Sequence, residues 1–510
     1  MSTSPQRALK RVLIANRGEI AVRVIRACQE LGLETVAVFS EVDRDAVHAR
    51  MATYAFPIGP APASQSYLRM DKLLEVAERS GADAVHPGYG FMSENAVFAQ
   101  AVIDAGLTWV GPPPSAIEAM GSKTRSRQIM QAAGVPVVPG TVEAISDEAE
   151  LMRVANEIGY PVMLKAASGG GGKGMRRVED DKSLLRAYVA ARSEAAKAFG
   201  DDAVYLEKFV VRPRHVEVQI LADAHGTVVH LFERDCSIQR RHQKVLEEAP
   251  CPVLPEETRQ AMTAVAIEAA RAVSYEGAGT VEFLYGGDGN FYFLEMNTRL
   301  QVEHPITEMI TGVDLARAQL RIAAGEPLWF SQEELSITGH AIECRVYAED
   351  PENGFLPAPG TITRYREPTG PWVRVDSGVY AGFTVPLEYD PMIAKLVVWG
   401  RNRQECIERT DRALREYRVT GIRTSIGFFR AVLADPGFLA ADYTTAFITP
   451  AFLDALSAGD DGVERELAAI TAAIAQYEKD HKAAPARSGG DDGSAWKRAG
   501  RWHGTHRYPR

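Results

Sequence analysis

The sequence predicts a multidomain protein in which a doubly wound α/β region precedes two regions that mix strands and helices. Up to about residue 120, short apolar runs such as RVLIAN alternate with helical segments such as EIAVRVIRACQELG, a pattern typical of βαβ units with a parallel sheet. From about residue 160, strand-like pieces such as HVEVQILAD and TVVHLFERD follow one another with few helices between them. The length of 510 residues allows about three domains.

These changes of pattern predict domain boundaries near residues 120, 335 and 450. Residues 1–120 form the α/β domain, 121–335 an α+β domain, and 336–450 a third domain that includes the amphipathic helix around RQECIERTDRALREY. Residues 451–510 combine a helical extension, the linker APARSGGDDGS and the basic aromatic tail WKRAGRWHGTHRYPR. Because tryptophan is enriched at protein interfaces, we hypothesise that this tail docks a partner subunit.

Composition restricts the class of partner and the compartment. The formal net charge of −10 argues against nucleic-acid binding but leaves room for a local basic pocket that binds small anions. The five cysteines are widely spaced and lack a CxxC pair, so neither a disulfide framework nor a zinc site is indicated, and we expect a reducing cytoplasm. The sequence contains no apolar run of membrane-spanning length, so we expect no membrane segment.

The segment SGGGGKGM, residues 168–175, is typical of a flap that binds phosphate. Its consecutive glycines let backbone N–H groups approach a phosphate without intervening side chains, and the strands PVMLKA and MRRV flank it. It is not a P-loop, because Gly174 follows Lys173 where a hydroxyl residue is needed. Lys165 precedes the loop as a second cation. A simple turn does not need four glycines, so the sequence predicts a mobile lid over nucleotide phosphates.

The segment GTVEFLYGGDGNFYFLEMN is typical of a β-hairpin with two facing glutamates. If Asp288 and Gly289 form a two-residue turn, Glu282 on the first strand lies directly opposite Glu295 on the second. Two carboxylates that face each other across a hairpin repel unless a cation lies between them, and such oxygen ligands suit Mg²⁺. Asn297 projects to the same face as an auxiliary ligand. The alternative is an exposed face with two solvated glutamates, which the strongly apolar neighbours disfavour.

The residues that follow this hairpin, RLQVEH, lie beside the predicted site for magnesium and nucleotide. Arg299 and Gln301 can bind a small oxyanion, and Glu303 can accept a proton. A second cationic segment, ERDCSIQRRHQKVLEE, offers three further side chains to the same anions: Gln239, His242 and Lys244. On its own such a segment is typical of a solvated loop. Together with the flap and the hairpin, it predicts a site in which a small anion reacts with a γ-phosphate.

These motifs, in this order, resemble the ATP-grasp fold and specifically the biotin carboxylase subunit of biotin-dependent carboxylases. The resemblance covers about residues 11–447 and rests on IANRGEIAVRVIRA, HPGYGFMSEN, MGSK, KAASGGGGKGM, PRHVEVQ, ERDCSIQRRHQKVLEEAP, EMNTRLQVEHPITEMITGVDL, HAIECRVYAEDP and YDPMIAKL. It implies an N-terminal doubly wound parallel sheet, a central ATP-grasp domain with a mobile glycine-rich lid at about 136–205, and a C-terminal mixed α+β domain.

The resemblance also implies roles for individual residues. The implied ATP-binding residues are Lys123, Lys165, Gly170, Gly171, Gly172, Met175, Glu207, Lys208, Val210, His215, Gln239 and His242. The implied ligands of Mg²⁺ or Mn²⁺ are Glu282, Glu295 and Asn297. The implied pocket for bicarbonate and biotin comprises Lys244, Arg299, Gln301, the backbone of Val302, and Arg345. Glu303 matches the general base, and Arg299, Arg345 and Lys244 complete the implied catalytic set.

The implied reaction is the ATP-dependent carboxylation of biotin by bicarbonate through carboxyphosphate, as the first half-reaction of an acetyl-CoA or other acyl-CoA carboxylase. No EAMKM-type biotinyl-lysine segment occurs in the sequence. We therefore expect a separate biotin carboxyl carrier protein and a separate carboxyltransferase subunit. The resemblance also implies that the chain forms a homodimer.

Three alternatives remain at this point. The chain could serve a two-subunit pyruvate carboxylase. Another ATP-grasp ligase, joining a carboxylate to an amine, should lack the RLQVEH set. A catalytically silent nucleotide-binding module would not need Glu282, Glu295, Arg299, Glu303 and Arg345 intact.

Overall fold

The computed structural model of the protein describes residues 8–141, 145, 147–166, 175–199, 203–287, 289–458 and 469–477. The glycine loop with Gly170, Gly171 and Gly172 lies outside the described residues, as does the basic tail, so the predictions for both remain predictions. Residues 1–453 belong to one compact unit and residues 454–510 to a second. In the second unit, residues 469–477 are helical.

The N-terminal region is a doubly wound α/β domain, as predicted. Its strands are β1 (Arg11–Ile14), β2 (Glu34–Ser40), β3 (Tyr54–Gly59), β4 (Ala84–His86) and β5 (Thr108–Trp109). Its helices are α1 (Gly18–Glu30), α2 (Val47–Met51), α3 (Met70–Ser80), α4 (Ala96–Asp104) and α5 (Pro114–Gly121). The strands are parallel, in the order β3-β2-β1-β4-β5. The order in which strands are added to the sheet therefore reverses between β1 and β4. At such a point an open parallel sheet forms a crevice at the carboxyl ends of its strands.

A small three-stranded layer follows. Its elements are α6 (Lys123–Ala132), α7 (Glu148–Ile158), β6 (Val162–Ala166), β7 (Met175–Val178), α8 (Asp181–Phe199) and β8 (Val204–Lys208). The strands pair antiparallel in the order β7-β6-β8. Alternate residues of β6 and β8, such as Leu164 and Leu206, are fully buried against Leu184 and Tyr188 of α8. The layer thus has a core of its own.

The remainder of the compact unit is built on a large antiparallel sheet. Its strands, with the short ones that surround it, are β9 (Arg214–Ala222), β10 (Val228–Arg240), β11 (Gln243–Ala249), β12 (Gly277–Tyr285), β13 (Phe291–Asn297), β14 (His340–Tyr347), β15 (Glu349–Asp350), β16 (Leu356–Pro357), β17 (Gly360–Thr361), β18 (Arg364–Arg366), β19 (Val373–Ser377), β20 (Thr384–Val385), β21 (Met392–Gly400) and β22 (Arg418–Thr420). The helices are α9 (Glu256–Ala272), α10 (His304–Thr311), α11 (Leu315–Ala323), α12 (Arg403–Glu416), α13 (Ile426–Ala434) and α14 (Pro436–Leu439). A last helix, α15 (Pro450–Ala458), begins in this unit and ends in the second. Among the helices in the described ranges, none is both long and apolar enough to cross a membrane.

The large sheet crosses the boundary predicted near residue 335. Its order is β13-β12-β9-β10-β11-β14-β21-β19, so three of its eight strands come from the region predicted to be a separate domain. The junction is the pairing of β11 with β14, which sets Glu247 opposite Glu343. On the other side, Leu221 and Val229 share a core with Ile14 and Val24 of the N-terminal domain. These shared contacts hold the N-terminal crevice against the large sheet.

The β12–β13 hairpin differs from the prediction at its turn. Glu282 pairs with Glu295 as predicted, but nearer the turn Phe283 pairs with Phe293, so a bulge at Leu294 shifts the register by one residue. The N–H of Gly286 donates to the carbonyl of Asn290, which leaves three residues in the loop rather than two. The predicted two-residue turn was therefore wrong. The bulge compensates for the longer loop, and the two glutamates face each other for that reason.

A buried carboxylate joins the large sheet to the helices behind it. Glu248 of β11 accepts hydrogen bonds from His340 of β14 (2.7 Å) and Arg403 of α12 (2.7 and 3.0 Å). Burial alone would raise the pKa of Glu248, but the hydrogen bonds and charges of His340 and Arg403 outweigh it and lower the pKa to about 2. A folded-state pKa below the ordinary 4.5 means that this carboxylate stabilises the protein above about pH 4.5. The stabilisation is lost as the pH falls towards 2.

We expect Glu248→Gln to lower the melting temperature at pH 7 and to lower it progressively less as the pH falls below 4.5. The lowered pKa of Glu248 corresponds to a contribution of about 3 kcal/mol to the free energy of unfolding at neutral pH. Thermal melts of both proteins at pH 7 and pH 4 measure the effect. Glu268→Gln, which removes an exposed partner of Arg271, serves as the control and should leave both melts unchanged. An equal loss at the two pH values would contradict the assignment.

Candidate active site

A cavity of about 780 Å³ lies where the N-terminal crevice meets the large sheet. Its N-terminal wall comes from the loops after β1 and β4, and the Asn16 amide joins them by donating to the carbonyls of Pro87 and Tyr89 (2.7 Å each). The opposite wall carries residues predicted to bind nucleotide, metal, bicarbonate or biotin: His215, Gln239, His242, Lys244, Glu282, Glu295, Asn297, Arg299, Gln301, Val302 and Arg345. The structure thus brings these predicted residues together.

Glu303 is buried behind this wall, between two cations. Its side chain is 0% exposed, and it accepts hydrogen bonds from Lys244 Nζ at Oε1 (2.8 Å) and from Arg345 Nη2 at Oε2 (2.9 Å). Burial would raise the pKa of Glu303, but Lys244, Arg345 and the nearby Arg234 outweigh it and hold the pKa well below its usual range. Glu303 is therefore ionised at neutral pH and can accept a proton.

Lys244 is the shared counter-charge of three buried carboxylates. Its ammonium donates to Glu217 (2.5 Å), Glu282 (2.7 Å) and Glu303 (2.8 Å). Glu217 is fixed in turn by Arg234, whose Nε donates to its other oxygen (2.6 Å). Three carboxylates can share so small a volume because this ammonium lies among them and Arg234, Arg345 and His215 add further positive or donor groups. Lys244 therefore links the glutamate hairpin to Glu303.

The pair Glu282 and Glu295 has the electrostatics of a cation site. Glu282 is buried, and Lys244 and His215 hold its pKa well below the usual range despite that burial. Glu295 faces the cavity and makes no ion pair within the described residues; burial and the charge of Glu282 raise its pKa. The Asn297 amide donates to Glu282 Oε1 (2.8 Å). A hard divalent cation would relieve the repulsion, and an all-oxygen donor set suits Mg²⁺.

Arg299 is held at the cavity wall by three side chains. Its guanidinium donates to Glu94 Oε2 (2.9 Å), Gln301 Oε1 (2.7 Å) and Asn297 Oδ1 (2.9 Å). Gln301 in turn donates to Glu282 Oε1 (3.1 Å). These bonds fix a planar cation at the cavity surface, where it can receive a small oxyanion.

His242 enters the cavity from the tip of the β10–β11 hairpin. Arg240 pairs with Gln243 across a two-residue turn in which both Arg241 (φ 50°) and His242 (φ 69°) adopt left-handed backbone conformations. Glycine and asparagine favour this turn, whereas these two residues adopt it at a cost in strain. Such strain is characteristic of a side chain that must be aimed at a site.

Other predicted nucleotide residues do not line the cavity: Lys123, Lys165, Glu207, Lys208 and Val210. Glu207 on β8 accepts hydrogen bonds from Lys165 of β6 and from Arg127 (2.7 Å). The Lys208 ammonium donates to the carbonyls of Gly159 (2.8 Å) and Tyr160 (3.2 Å). Only the backbone of Met175 is described, as the first residue of β7. Lys123, at the start of α6, is near enough for its charge to lower the pKa of the cavity residue Glu295. The other residues lie in the three-stranded layer or just after its last strand and do not line the cavity.

Sequence reasoning missed several residues that position the site, namely Glu94, Glu217, Arg234 and Tyr89. Glu217 lies in β9, where every residue is buried, and Arg234 lies in the part of β10 that is buried without interruption. Burial of both faces leaves no periodic pattern to mark them. Glu94 and Tyr89 fall within HPGYGFMSEN. That motif supports the resemblance as a whole but assigns no role to these two side chains.

Comparisons with known proteins agree with this geometry. A family model of the biotin carboxylase N-terminal domain matches residues 8–117, one of the carbamoyl-phosphate synthase L chain ATP-binding domain matches 122–330, and one of the biotin carboxylase C-terminal domain matches 343–450. The chain is 53% identical to a biotin carboxylase of Halalkalibacterium halodurans over 440 residues, which cover 86% of this chain and 97% of that protein. It is 54% identical to a pyruvate carboxylase subunit of Methanothermobacter thermautotrophicus over 438 residues, or 86% of this chain and 89% of that protein.

A solved structure shares the fold. It is the biotin carboxylase domain dimer of Hydrogenobacter thermophilus 2-oxoglutarate carboxylase, in complex with MgADP, ADP and bicarbonate. The TM-score is 0.77 at 47% identity, with 86% of this chain and 97% of that chain covered. The matched domains, and an identity above one half over most of the chain, show that the chain belongs to the biotin carboxylase family of ATP-grasp ligases.

Proposed function

We propose that the chain carboxylates the biotin of a separate biotin carboxyl carrier protein, using MgATP and bicarbonate, as the first half-reaction of an acyl-CoA carboxylase. The observation that carries the proposal is the buried Glu303 between Lys244 and Arg345, beside the facing carboxylates Glu282 and Glu295. This set places three features together: a base (Glu303), two fixed cationic side chains (Lys244 and Arg345), and a metal-binding pair of carboxylates (Glu282 and Glu295). Bicarbonate activation by a nucleotide needs all three.

Bicarbonate would bind to Lys244, Arg299 and Gln301, with the backbone N–H of Val302 as a further donor. Each of these residues lines the cavity, and the charged donors are already held by carboxylates, Lys244 by the buried Glu282 and Arg299 by the exposed Glu94. Fixed donors lose little entropy when the anion binds, so they can set its orientation for attack on the γ-phosphate.

Glu303 would take the bicarbonate proton. When bicarbonate binds Lys244, it competes with Glu303 for the ammonium, which weakens the interaction that lowers the pKa of Glu303. The basicity of Glu303 therefore rises once its substrate is bound. The deprotonated oxygen then attacks the γ-phosphorus, and the bond to ADP breaks to give carboxyphosphate.

Mg²⁺ or Mn²⁺ held by Glu282 and Glu295 would neutralise charge on the nucleotide phosphates. Lys123, Lys165, the glycine loop, Met175, Glu207, Lys208 and Val210 are proposed to complete the nucleotide site with His215, Gln239 and His242. For the residues of the three-stranded layer, this requires the layer to approach the cavity when ATP binds. A closing lid of this kind would keep water from carboxyphosphate.

The second step transfers CO₂ to biotin. Carboxyphosphate breaks its carbon–oxygen bond to phosphate, giving CO₂ and phosphate; the phosphate removes the biotin N1′ proton, and N1′ attacks CO₂. Arg345 would hold the enolate oxygen, since its guanidinium is fixed by Glu247 (2.6 Å) and reaches the cavity. A guanidinium fixed in advance stabilises the developing negative charge without reorganisation.

The molecule that finally accepts the carboxyl group would be selected by a partner subunit. We propose acetyl-CoA or another acyl-CoA, selected by a separate carboxyltransferase subunit, with pyruvate as the alternative supported by the pyruvate carboxylase relative. The dimer named for the solved relative supports a homodimer. All five cysteines are buried and unpaired, which supports a reducing cytoplasm.

The deciding experiment measures ADP release by the purified chain with MgATP, bicarbonate and free biotin, omitting each component in turn. We expect release that requires bicarbonate and rises with biotin. ADP release that does not depend on bicarbonate would indicate another ATP-grasp reaction. The absence of ADP release would indicate a catalytically silent nucleotide-binding module.

We expect Glu295→Gln to raise the free Mg²⁺ concentration needed for half-maximal activity by at least about tenfold. Metal affinity falls by about this factor even when the removed residue only hydrogen-bonds a metal ligand. Glu295 carries the unpaired negative charge of the hairpin, so its loss removes attraction for the cation. Activity titrated with free Mg²⁺ at saturating ATP measures the effect. Glu388→Gln removes a carboxylate from another part of the cavity wall and should leave the titration unchanged. An unaltered Mg²⁺ requirement in Glu295→Gln would exclude this ligand.

A further inference from the structure

Lys395 of β21 is a fully buried lysine for which the proposed reaction has no role. Its side chain is 0% exposed, although an ammonium is rarely buried without a specific partner. Its Nζ donates to the main-chain carbonyl of Val302 (2.8 Å) and lies 3.3 Å from Glu19 Oε2 at the start of α1. The sequence motif YDPMIAKL contains this residue.

The large sheet sets Lys395 beside Arg345. The two residues are direct partners in the β14–β21 pairing, and Asp376 of β19 is the partner of Lys395 on the other side. Directly paired residues of an antiparallel sheet project to the same face. Two neighbouring cations of that face therefore reach the same short segment: Arg345 bonds the Glu303 carboxylate (2.9 Å) and Lys395 bonds the carbonyl immediately before it.

The segment that Lys395 holds has little secondary structure of its own. Strand β13 ends at Asn297 and α10 begins at His304, so the residues between them rely on other contacts for their positions. A hydrogen bond from a buried ammonium to the Val302 carbonyl restricts rotation of the peptide that joins Val302 to Glu303. The direction of the Glu303 side chain depends on that peptide.

Glu19 is the acidic residue of the N-terminal domain that faces Lys395. Burial raises the pKa of Glu19 to about 7 although the charge of Lys395 opposes this rise, and Asp376, whose pKa Lys395 helps to lower, adds negative charge from the sheet. Glu19 is 4% exposed, and its other carboxylate oxygen accepts the hydroxyl of Tyr89 in the loop after β4. Both Glu19 and Tyr89 line the cavity. The chain of contacts therefore runs from the N-terminal wall of the cavity, through Lys395, to the segment that carries the base.

We infer that Lys395 is a positioning residue, which fixes the Val302–Glu303 peptide for bicarbonate binding and deprotonation, with Glu19 as its acidic partner. The inference rests on the proposed function, because it assigns Val302 and Glu303 to the bicarbonate step. It predicts that loss of the ammonium affects bicarbonate far more than it affects nucleotide. A displacement of about 1 Å at a reacting group can cost about 10²-fold in rate.

The test compares Lys395→Met with the wild type in the ADP-release assay, with KM for bicarbonate, KM for MgATP, kcat and melting temperature measured for each. We expect kcat/KM for bicarbonate to fall about 10²-fold while KM for MgATP stays within about twofold. Lys72→Met is the matched control: Lys72 also donates to two main-chain carbonyls, of Ile58 and Gln65 (2.8 Å each), but does not line the cavity. It should leave the bicarbonate parameters unchanged.

Each other outcome has a defined meaning. Wild-type protein without bicarbonate-dependent ADP release would refute the proposed function before Lys395 is tested. An active wild type with normal bicarbonate parameters in Lys395→Met would overturn the inference alone. A lower melting temperature with both KM values unchanged would do the same, because it assigns Lys395 to stability. If Lys395→Met fails to fold, Glu19→Gln, which keeps the side-chain size, should raise KM for bicarbonate, and an unchanged KM there overturns the inference.

Discussion

Replacing Glu303 by glutamine should reduce bicarbonate-dependent ADP release by about 10²- to 10⁴-fold, the usual contribution of a positioned general base. Glutamine keeps the size of the side chain but has no charge and cannot take the bicarbonate proton. The loss should appear mainly in kcat, because bicarbonate retains Lys244 and Arg299 as ligands. Steady-state rates at saturating MgATP, with bicarbonate varied, measure it.

The control for this substitution is a buried glutamate outside the cavity. Glu233 is also 0% exposed, and it accepts hydrogen bonds from Arg259 Nε (2.9 and 3.0 Å). Glu233→Gln breaks a comparable ion pair, so it should lower the melting temperature while the folded protein keeps its kcat. If Glu303→Gln retained more than about a tenth of the wild-type kcat, Glu303 could not be the base.

The fold followed from the sequence wherever periodicity was clear. Alternating strands and helices gave the parallel sheet, and the apolar strand pair around Glu282 and Glu295 gave the glutamate hairpin. The turn itself did not follow, because the bulge at the exposed Leu294 shifts the register by one residue and no feature of the apolar pattern marks it. The tip of the β10–β11 hairpin at Arg241 and His242 was hidden for another reason: neither residue is one that such a turn favours.

The sequence predicted which charged residues belong to the site, but not the hydrogen bonds and ion pairs that connect them. The charged residues of RLQVEH stood out because they follow an apolar strand. Glu217 lies in β9, which is buried throughout, and Arg234 lies in the continuously buried part of β10, so neither carries a periodic signal. The pairing of β11 with β14 joins segments about a hundred residues apart. Such a long-range pairing is decided by tertiary packing, so Arg345 could be assigned to the site only by resemblance.

Replacing Lys244 by methionine should reduce kcat/KM for bicarbonate by about 10²- to 10³-fold, the usual loss when one fixed donor to a reacting oxyanion is removed. The substitution leaves Glu217, Glu282 and Glu303 without their shared ammonium. Their mutual repulsion, added to burial, then raises the pKa of Glu303 from its depressed value.

The pH dependence of the residual activity separates this account from simple misfolding. In the wild type the pKa of Glu303 is well below its usual range, so loss of its proton does not limit the rate near neutral pH. In Lys244→Met the raised pKa means that Glu303 is increasingly protonated as the pH falls, so residual activity should decrease towards acid pH and recover towards alkaline pH. The double variant Glu217→Gln/Lys244→Met removes one carboxylate along with the ammonium; it should regain melting temperature without regaining bicarbonate affinity. If the double variant recovered wild-type kcat/KM, Lys244 would only balance charge, and bicarbonate would have to bind elsewhere.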